Sequence, residues 1–481
     1  MSDSTNSSST ASRRGFLRGA VTASGLAMAG TTSWATGTKP SRRRSAKTSD
    51  YDVIIVGGGF SGVTAARECS RAGLSTLLLE ARARIGGRTF TTQFGPYHIE
   101  LGGTWVHWSQ PFVWSEIQKY GLTIEETPGA SAERYVALVD GQRMNFTPDQ
   151  SLADLVSGVE AYFAEARTTW DRPYDAAFTW KELVARDSMS AADRMAALKL
   201  SPLQRDVIAA FTETMSHCPL SQASYVEMMR WYAAPGFNFG GLLDSTARYK
   251  LKEGTHGLID RIAKDGRAEI KLSKPVKRVV RASDHVVVYP EQGLPYTAHV
   301  VILALPPRIL RDIEFEPALS AAKLRASREG FTRSGVKYYA EVKGDLGKVQ
   351  LLARARHAAG MAWTYANGTD RTLLVGFSAN PDDLQGNDTT SVQSALRELI
   401  PDVEVTDCIS YGWNEDPYSQ GTYSGFAPGQ FSNGYESLAQ HEGRVLMAGG
   451  DVGNAAWRNF IDGAIGRGLR VAQDAVELLK G

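Results

Sequence analysis

The first sharply patterned stretch of the chain is Tyr51-Asp52-Val53-Ile54-Ile55-Val56, a compact run of apolar, mostly β-branched residues. A run that is apolar on both faces predicts a buried strand in a parallel sheet. The pattern then predicts a helix from Val63 to Ala72 and a second strand from Leu74 to Leu79. Farther on, Val300 to Leu305 predicts another buried strand, stopped by Pro306-Pro307. Leu152, Leu155, Val156, Val159, Tyr162 and Phe163 recur at helical spacing and predict an amphipathic helix. It lies in a helix-rich region that runs to about 235. Residues 335–345 and 371–378 read as strands, and Asp382 to Asp388 as a loop. No segment repeats. Strands and helices interleaved in this way predict an α/β fold.

The turn after the first strand carries chemistry. Gly57-Gly58-Gly59-Phe60-Ser61-Gly62 places Gly57, Gly59 and Gly62 in the spacing GxGxxG, between a strand and a helix. Glu80 ends the second strand, eighteen residues after Gly62. This is the full dinucleotide-binding fingerprint. Gly57 allows the tight turn, Gly59 lets a pyrophosphate approach the backbone, and Gly62 lets the helix pack close to the strand. The helix N-terminus offers unpaired N–H groups to the phosphates. Glu80 would accept both ribose hydroxyls, and an acid there disfavours a 2′-phosphate.

Composition sets bounds on this picture. The chain has 481 residues, 43% hydrophobic, with 47 Gly and 3 Cys. That length suggests two or three domains and excludes wholesale disorder or a collagen-like repeat. The net charge of +1 predicts no attraction to nucleic acid. It also averages over unlike parts. Residues 1–50 hold eight of the 53 basic and two of the 52 acidic residues, so 45 basic and 50 acidic residues remain, a net of −5. Cys69, Cys218 and Cys408 are far apart, show no metal spacing, and are expected to be core thiols rather than a disulfide framework.

The basic head reads as an address. Ser12-Arg13-Arg14-Gly15-Phe16-Leu17 is a twin-arginine pattern, followed by a mildly apolar stretch from Gly19 to Gly30. Ala27-Met28-Ala29 and Ser33-Trp34-Ala35 are small-residue cleavage candidates. This layout predicts twin-arginine export to the periplasm, with residues 1–50 as signal and linker. That route carries folded proteins, which suits one that acquires a cofactor before export. No run of about 18 apolar residues predicts a membrane span.

From Glu80 the chain continues Ala81-Arg82-Ala83-Arg84-Ile85-Gly86-Gly87-Arg88. Here it resembles the flavin-containing amine oxidases, the family of monoamine and polyamine oxidases. Further matches are Glu100-Leu101-Gly102-Gly103-Thr104-Trp105, Lys274-Pro275-Val276, Val445-Leu446-Met447-Ala448-Gly449-Gly450-Asp451, and Ile461-Asp462-Gly463-Ala464-Ile465-Gly466-Arg467-Gly468. The resemblance spans about residues 51–481. It implies a Rossmann-like FAD-binding domain, of the glutathione-reductase and amine-oxidase type, with inserted substrate and helical domains. The FAD domain would be discontinuous, over 51–130, 250–310 and 435–481. The substrate domain, α+β with a helical subdomain, would take 131–249 and 311–434. By resemblance Arg82, Gly87 and Arg88 serve the phosphate or ribityl region, Gly103 and Thr104 the flavin ring, and Val276 the adenine. Gly450, Asp451 and Ile461 belong to the final flavin turn and helix. The family usually has Glu where Asp451 stands. Arg84 is expected to be a solvated surface charge.

The resemblance also implies a reaction centre. Lys337, in Gly335-Val336-Lys337-Tyr338-Tyr339, matches the family lysine that holds a water near flavin N5. Tyr423 and Phe460 match the two walls of an aromatic cage that steers the amine, with Phe460 where many members carry Tyr. Trp413 matches a tryptophan beside the ring system. Thr422 stands where members with a covalently tethered flavin carry Cys, so FAD should be noncovalent. Trp105, His107 and Trp108 resemble the bacterial branch of nicotine, pseudooxynicotine and cyclohexylamine oxidases. Trp105, Trp108 and Tyr225 are cavity candidates, with Phe237, Phe239 and Trp363 as further ones. His107 reads as a packed hydrogen-bonding residue. The activity implied is oxidation of a small hydrophobic or ring-containing amine by hydride transfer to flavin N5, giving an imine. No arginine can be assigned to a substrate carboxylate, which disfavours amino acids. The electron acceptor is O2 or, in a dehydrogenase, a cytochrome. A nonenzymatic flavin-binding protein is the other class. No metal is expected, and a homodimer stays open.

Overall fold

The computed structural model describes residues 49–329, 334–354, 357–423, 425–453 and 456–480. The twin-arginine head lies outside the described residues.

Two large sheets organise the described chain. The first centres on the strand Tyr51–Val56, which pairs in parallel with Thr76–Leu79 on one side and Tyr296–Leu303 on the other. Val53 lies opposite Val300, and Ile55 lies opposite both Ile302 and Leu78. All these side chains are buried. Each contributes roughly 1.5–3 kcal/mol of burial relative to exposure, and the apolar run sits between helices on one face and the strand segments 276–281 and 286–290 on the other. The connecting helix is Phe60–Arg71, three residues earlier in onset than the apolar pattern suggested. The second strand starts at Thr76 because Ala72 and Gly73 turn the chain and Ser75 is bonded to Asp52.

Later segments complete this sheet. Val276–Arg281 and Val286–Pro290 form an antiparallel pair, and Val445–Met447 returns in parallel beside Tyr296–Leu303. The strand Glu314–Glu316 also joins it, beyond the boundary expected near 310, because it pairs in parallel with Val276–Arg281. The final helix, Ile461–Lys480, packs along Phe60–Arg71. Gly468 makes that approach possible, since a Cβ there would lie 2.5 Å from the Ser61 carbonyl oxygen.

The second sheet runs in the order 405–410, 336–343, 371–378, 361–367, 349–352, 134–139, 142–146. It is largely antiparallel, and the expected strands at 335–345 and 371–378 are its neighbours Val336–Lys343 and Arg371–Ser378. The expected amphipathic helix is Pro148–Tyr162, with Leu155, Val159 and Tyr162 buried and Leu152 facing out. Asp388, last residue of the expected loop, caps the helix Thr389–Arg397 by accepting from two backbone N–H groups.

One buried ionic cluster ties the helical region to the far end of the chain. Glu227 and Arg230, on the helix Tyr225–Ala233, meet Arg458, and all three are at most 1% exposed. Arg230 also donates to the Ala456 carbonyl at 2.7 Å. Burial alone would raise the Glu227 pKa, yet the charges of Arg458 and Arg230 outweigh it and hold the carboxyl below its ordinary value. Burial pushes Arg230 down to about 10. Glu227→Gln would leave two buried guanidiniums without a counter-charge, a loss of roughly 3–5 kcal/mol. A thermal melt should show a clearly lower midpoint for this variant, and an unchanged midpoint would remove the cluster from the forces holding the two regions together.

Candidate active site

The site begins where two glycine-rich loops touch. Gly57 takes φ +105°, which a side chain would strain, and a Cβ there would lie 2.5 Å from the Ala304 carbonyl oxygen. A Cβ on Gly62 would fall onto the Gly57 carbonyl oxygen. Gly86 donates its N–H to the Gly58 carbonyl at 2.9 Å, and Gly59 and Gly86 form a β-bridge. A Cβ on Gly87 would lie 3.1 Å from the Gly59 Cα. Gly59 itself has ordinary backbone angles, and a Cβ on it would meet nothing closer than the Gly87 Cα at 3.8 Å. The protein therefore leaves open space at Gly59, at the N-terminus of a helix.

Charged groups surround this opening. Glu80 is buried and accepts the N–H of Gly58 at 2.6 Å and of Arg82 at 2.8 Å. Arg82 pairs with Asp416 and donates to Ser419 Oγ at 2.8 Å. Arg88 pairs with Asp451 and donates to the Thr422 carbonyl at 2.9 Å. Arg84 is not the solvated surface charge expected. It is half-buried, donates to the carbonyls of Ile85, Thr89 and Gly87, and stacks 4.3 Å over the Phe90 ring. Burial, then the neighbouring Arg82, lowers its pKa. Arg84 holds the second glycine loop in shape, a role that only the folded loop discloses.

One continuous cavity of about 540 Å³ runs from this opening into the second sheet. Of the expected cofactor residues, Gly57, Gly59, Glu80, Arg82, Gly87, Arg88, Gly103, Thr104, Val276, Gly450 and Ile461 line it. Gly62 and Asp451 sit behind the lining, one setting the helix and the other holding Arg88. Lys337, Trp413, Tyr423, Phe460 and Trp105 line it as well.

Lys337 is 4% exposed. Its Nζ donates to the carbonyls of Glu100 at 2.6 Å and Gly102 at 2.9 Å, and to Thr104 Oγ1. Those three acceptors occupy all three ammonium donors. In this arrangement the cationic lysine has no spare N–H for a water. Burial pushes the Lys337 pKa down to about 7, and the nearby Glu100 carboxylate opposes that shift. Glu100 is held by Thr255 N–H at 2.6 Å and by the Thr91 and Thr255 hydroxyls, each at 2.7 Å, and burial raises its own pKa. Trp413 donates Nε1 to the Leu101 carbonyl at 2.8 Å, fixing the same loop from the other side.

The aromatic end contains more than the expected pair. Tyr423 donates its hydroxyl to the Thr214 carbonyl at 2.6 Å. Trp231, which the sequence reading missed, packs against both walls, 4.8 Å from Phe460 and 5.8 Å from Tyr423 between centroids. His217, also missed, lies 4.3 Å from Tyr423, its Nδ1 3.0 Å from Thr422 Oγ1. Trp105, Trp363 and Phe377 form a second aromatic group, with Lys337 Nζ 4.9 Å from the Trp105 ring.

Two cavity candidates are corrected. Trp108 is 49% exposed and packs outside the loop against His107 and Tyr249. Tyr225 is fully buried in the helical core, bonded to the Tyr162 carbonyl at 2.5 Å. Neither lines the cavity. Phe237 and Phe239 pack against the helical core, whereas Trp363 does line the cavity. His107 is buried and bonded to Ser109, as expected of a packed residue.

Residues 60–476 match the family described as flavin containing amine oxidoreductase, and the chain belongs to it. It is an oxidoreductase that uses flavin to oxidise amines. Among relatives, it is 41% identical over 436 residues to pseudooxynicotine dehydrogenase of a Pseudomonas species, covering 90% of this chain and 87% of the relative. It is 34% identical to nicotine dehydrogenase of Pseudomonas putida (strain DSM 28022 / S16), with both chains fully covered. The fold matches cyclohexylamine oxidase from Brevibacterium oxydans IH-35A at a TM-score of 0.76 and 22% identity, over 90% of this chain and all of the other.

The Lys337 environment has a pH consequence. Its amine is neutral above the lowered pKa and cationic below it. The rate of flavin reoxidation should therefore carry a step near pH 7 in the wild type, and Lys337→Met should flatten it. A step kept in the variant assigns that titration to another group.

Proposed function

We propose that this chain binds FAD noncovalently and oxidises a small, hydrophobic, ring-bearing amine carrying no second charge. The open face at Gly59, beside a helix N-terminus, two arginines and Glu80, fits a dinucleotide with its pyrophosphate at the turn and its ribose at the acid. Thr422 in place of a cysteine supports a noncovalent flavin, and the three cysteines lie buried elsewhere. Acid precipitation should release the flavin into the supernatant, whereas a yellow pellet would mean a tether.

The observation that carries the substrate reading is the composition of the cavity's aromatic end. The carboxylates lining the cavity are Glu80 and Glu291, which follow strands of the first sheet, and Asp312, which precedes another. Among the described residues, the aromatic end offers Phe211, Trp231, Leu243, Trp363, Phe377, Tyr423 and Phe460 but no Asp, Glu or Arg. Such a lining favours a neutral amine and offers no counter-charge to a diamine or an amino acid. Bound flavin supplies the acceptor for the hydride leaving the substrate Cα. The aromatic walls orient the amine and exclude water. Loss of the hydride and of the nitrogen proton leaves an imine, which hydrolyses to an aldehyde or ketone and an amine.

The names of the 41% and 34% identical relatives, both dehydrogenases, favour a second reading of the acceptor. In it the electrons pass to a cytochrome rather than to O2. Export of the folded holoenzyme to the periplasm by the twin-arginine head would place it beside such carriers. Stopped-flow reoxidation separates the two: slow reoxidation in air with fast turnover by a cytochrome supports the dehydrogenase, and fast reoxidation in air supports the oxidase.

An anaerobic panel of cyclic and N-alkyl amines tests the activity itself. At least one should bleach the flavin band near 450 nm, and none doing so would favour a nonenzymatic flavoprotein. Tyr423→Ala should lower kcat/KM by about 100-fold or more with flavin retained, since it removes an orienting wall. Unchanged kcat/KM would take Tyr423 out of the cage.

A further inference from the structure

Trp231 sits where the helical region meets the last part of the chain. Every residue of its helix, Tyr225–Ala233, is buried, and Trp231 is the one residue of that helix that lines the cavity. Its indole packs against both expected cage walls, 4.8 Å from Phe460 with 58° between the ring planes and 5.8 Å from Tyr423 with 47°. Three stretches distant in sequence thus supply one ring each. All three rings line the cavity, so part of the surface of each is left to a ligand.

Buried ions set the separation between two of these rings. Glu227 lies one helical turn before Trp231, on the same side of the helix, and pairs with Arg458, close before Phe460 in the chain. Arg230, next to Trp231, donates to the Ala456 carbonyl at 2.7 Å. The helix is therefore tied to the 456–460 segment at two points beside the indole. Packing alone would hold a tryptophan that merely filled the core. Here charged contacts fix the distance between two rings that both border open space.

A pocket with aromatic rings on three sides has a chemical preference. Ring faces carry the negative part of the quadrupole, and methyl hydrogens on a carbon bonded to nitrogen carry partial positive charge. Ring faces are also poor hydrogen-bond acceptors. An amine N–H turned toward them gives up its bond to water for little in return. An N-methyl group has no such bond to lose and buries apolar surface instead.

We infer that Trp231 is a specificity-determining residue that closes the aromatic cage on a third side and selects an N-methylated amine over the primary amine of the same skeleton. This rests on the amine-oxidising reading above and narrows its substrate class.

The test uses the flavin-loaded enzyme under anaerobic conditions with matched amines. Benzylamine is compared with N-methylbenzylamine, and phenethylamine with N-methylphenethylamine. Stopped-flow traces give a limiting rate of flavin reduction and a Kd for each. In at least one pair the wild type should favour the N-methyl member by about tenfold or more in limiting rate over Kd, with most of the difference in Kd. Trp231→Ala should bring that ratio close to one, and Trp231→Phe, which keeps a ring, should retain most of it. Should Trp231→Ala fail to load flavin, Trp231→Leu takes its place with the same expected loss. A wild-type ratio at or below one in both pairs, or a ratio unmoved in the aliphatic variant, overturns the inference while leaving amine oxidation intact. If no amine bleaches the wild-type flavin, the amine-oxidising reading falls and this inference falls with it.

Discussion

The site depends on one close approach between backbones. The turn at Gly57–Gly59 and the loop at Gly86–Gly87 touch through a hydrogen bond of 2.9 Å and a β-bridge, and a Cβ on Gly87 would lie 3.1 Å from the Gly59 Cα. That contact places a helix N-terminus, Glu80, Arg82 and Arg88 around one open face. The protein atoms stop short of Gly59, and the space they leave continues into the cavity. The strands 51–56, 76–79 and 296–303 exist, in this sense, to hold two loops at a fixed separation. Their apolar pairing supplies the rigidity, because a packed parallel sheet deforms little.

Charge is handled differently at the two ends of the cavity. At the glycine-loop end each arginine is held by an acid from a distant segment, Arg82 by Asp416 and Arg88 by Asp451. Those acids orient the guanidiniums and offset part of their charge. At the ring end the one buried amine facing the cavity among the described residues is Lys337, which carbonyls and a hydroxyl hold and whose pKa burial lowers. The loop 100–104 links both ends. It accepts from Lys337, from Trp413 and, through the Glu100 carboxylate, from Thr91 and Thr255. Small shifts in that loop would move the lysine and the tryptophan together.

What could be read from the chain follows the range of the interactions. The strand–turn–helix at 51–71 is local, so apolar run, glycine spacing and acid disclose it directly. The family motifs disclose Lys337, Trp413, Tyr423 and Phe460 because each sits in a short matched stretch. Trp231 and His217 carry no such signal. They reach the cavity only because the helices 202–216 and 225–233 fold over it, and the buried Glu227–Arg458 pair anchors one of those helices to the loop before Phe460. Tyr225 and Trp108 fail for the opposite reason. An aromatic residue near a motif in sequence can face the helical core or solvent, and nothing local decides which. Arg84 is misread because its acceptors are carbonyls of a loop whose shape the arginine itself maintains.

The open face at Gly59 is where the proposed flavin nucleotide would sit. Replacing Gly59 by Val tests it most directly, because the backbone there has ordinary angles and the nearest protein atom is 3.8 Å from a Cβ. The purified variant should keep its far-ultraviolet circular dichroism spectrum and lose the flavin absorbance near 450 nm. A folded Gly59→Val protein that still carries a full complement of flavin would contradict the placement of the nucleotide at this turn.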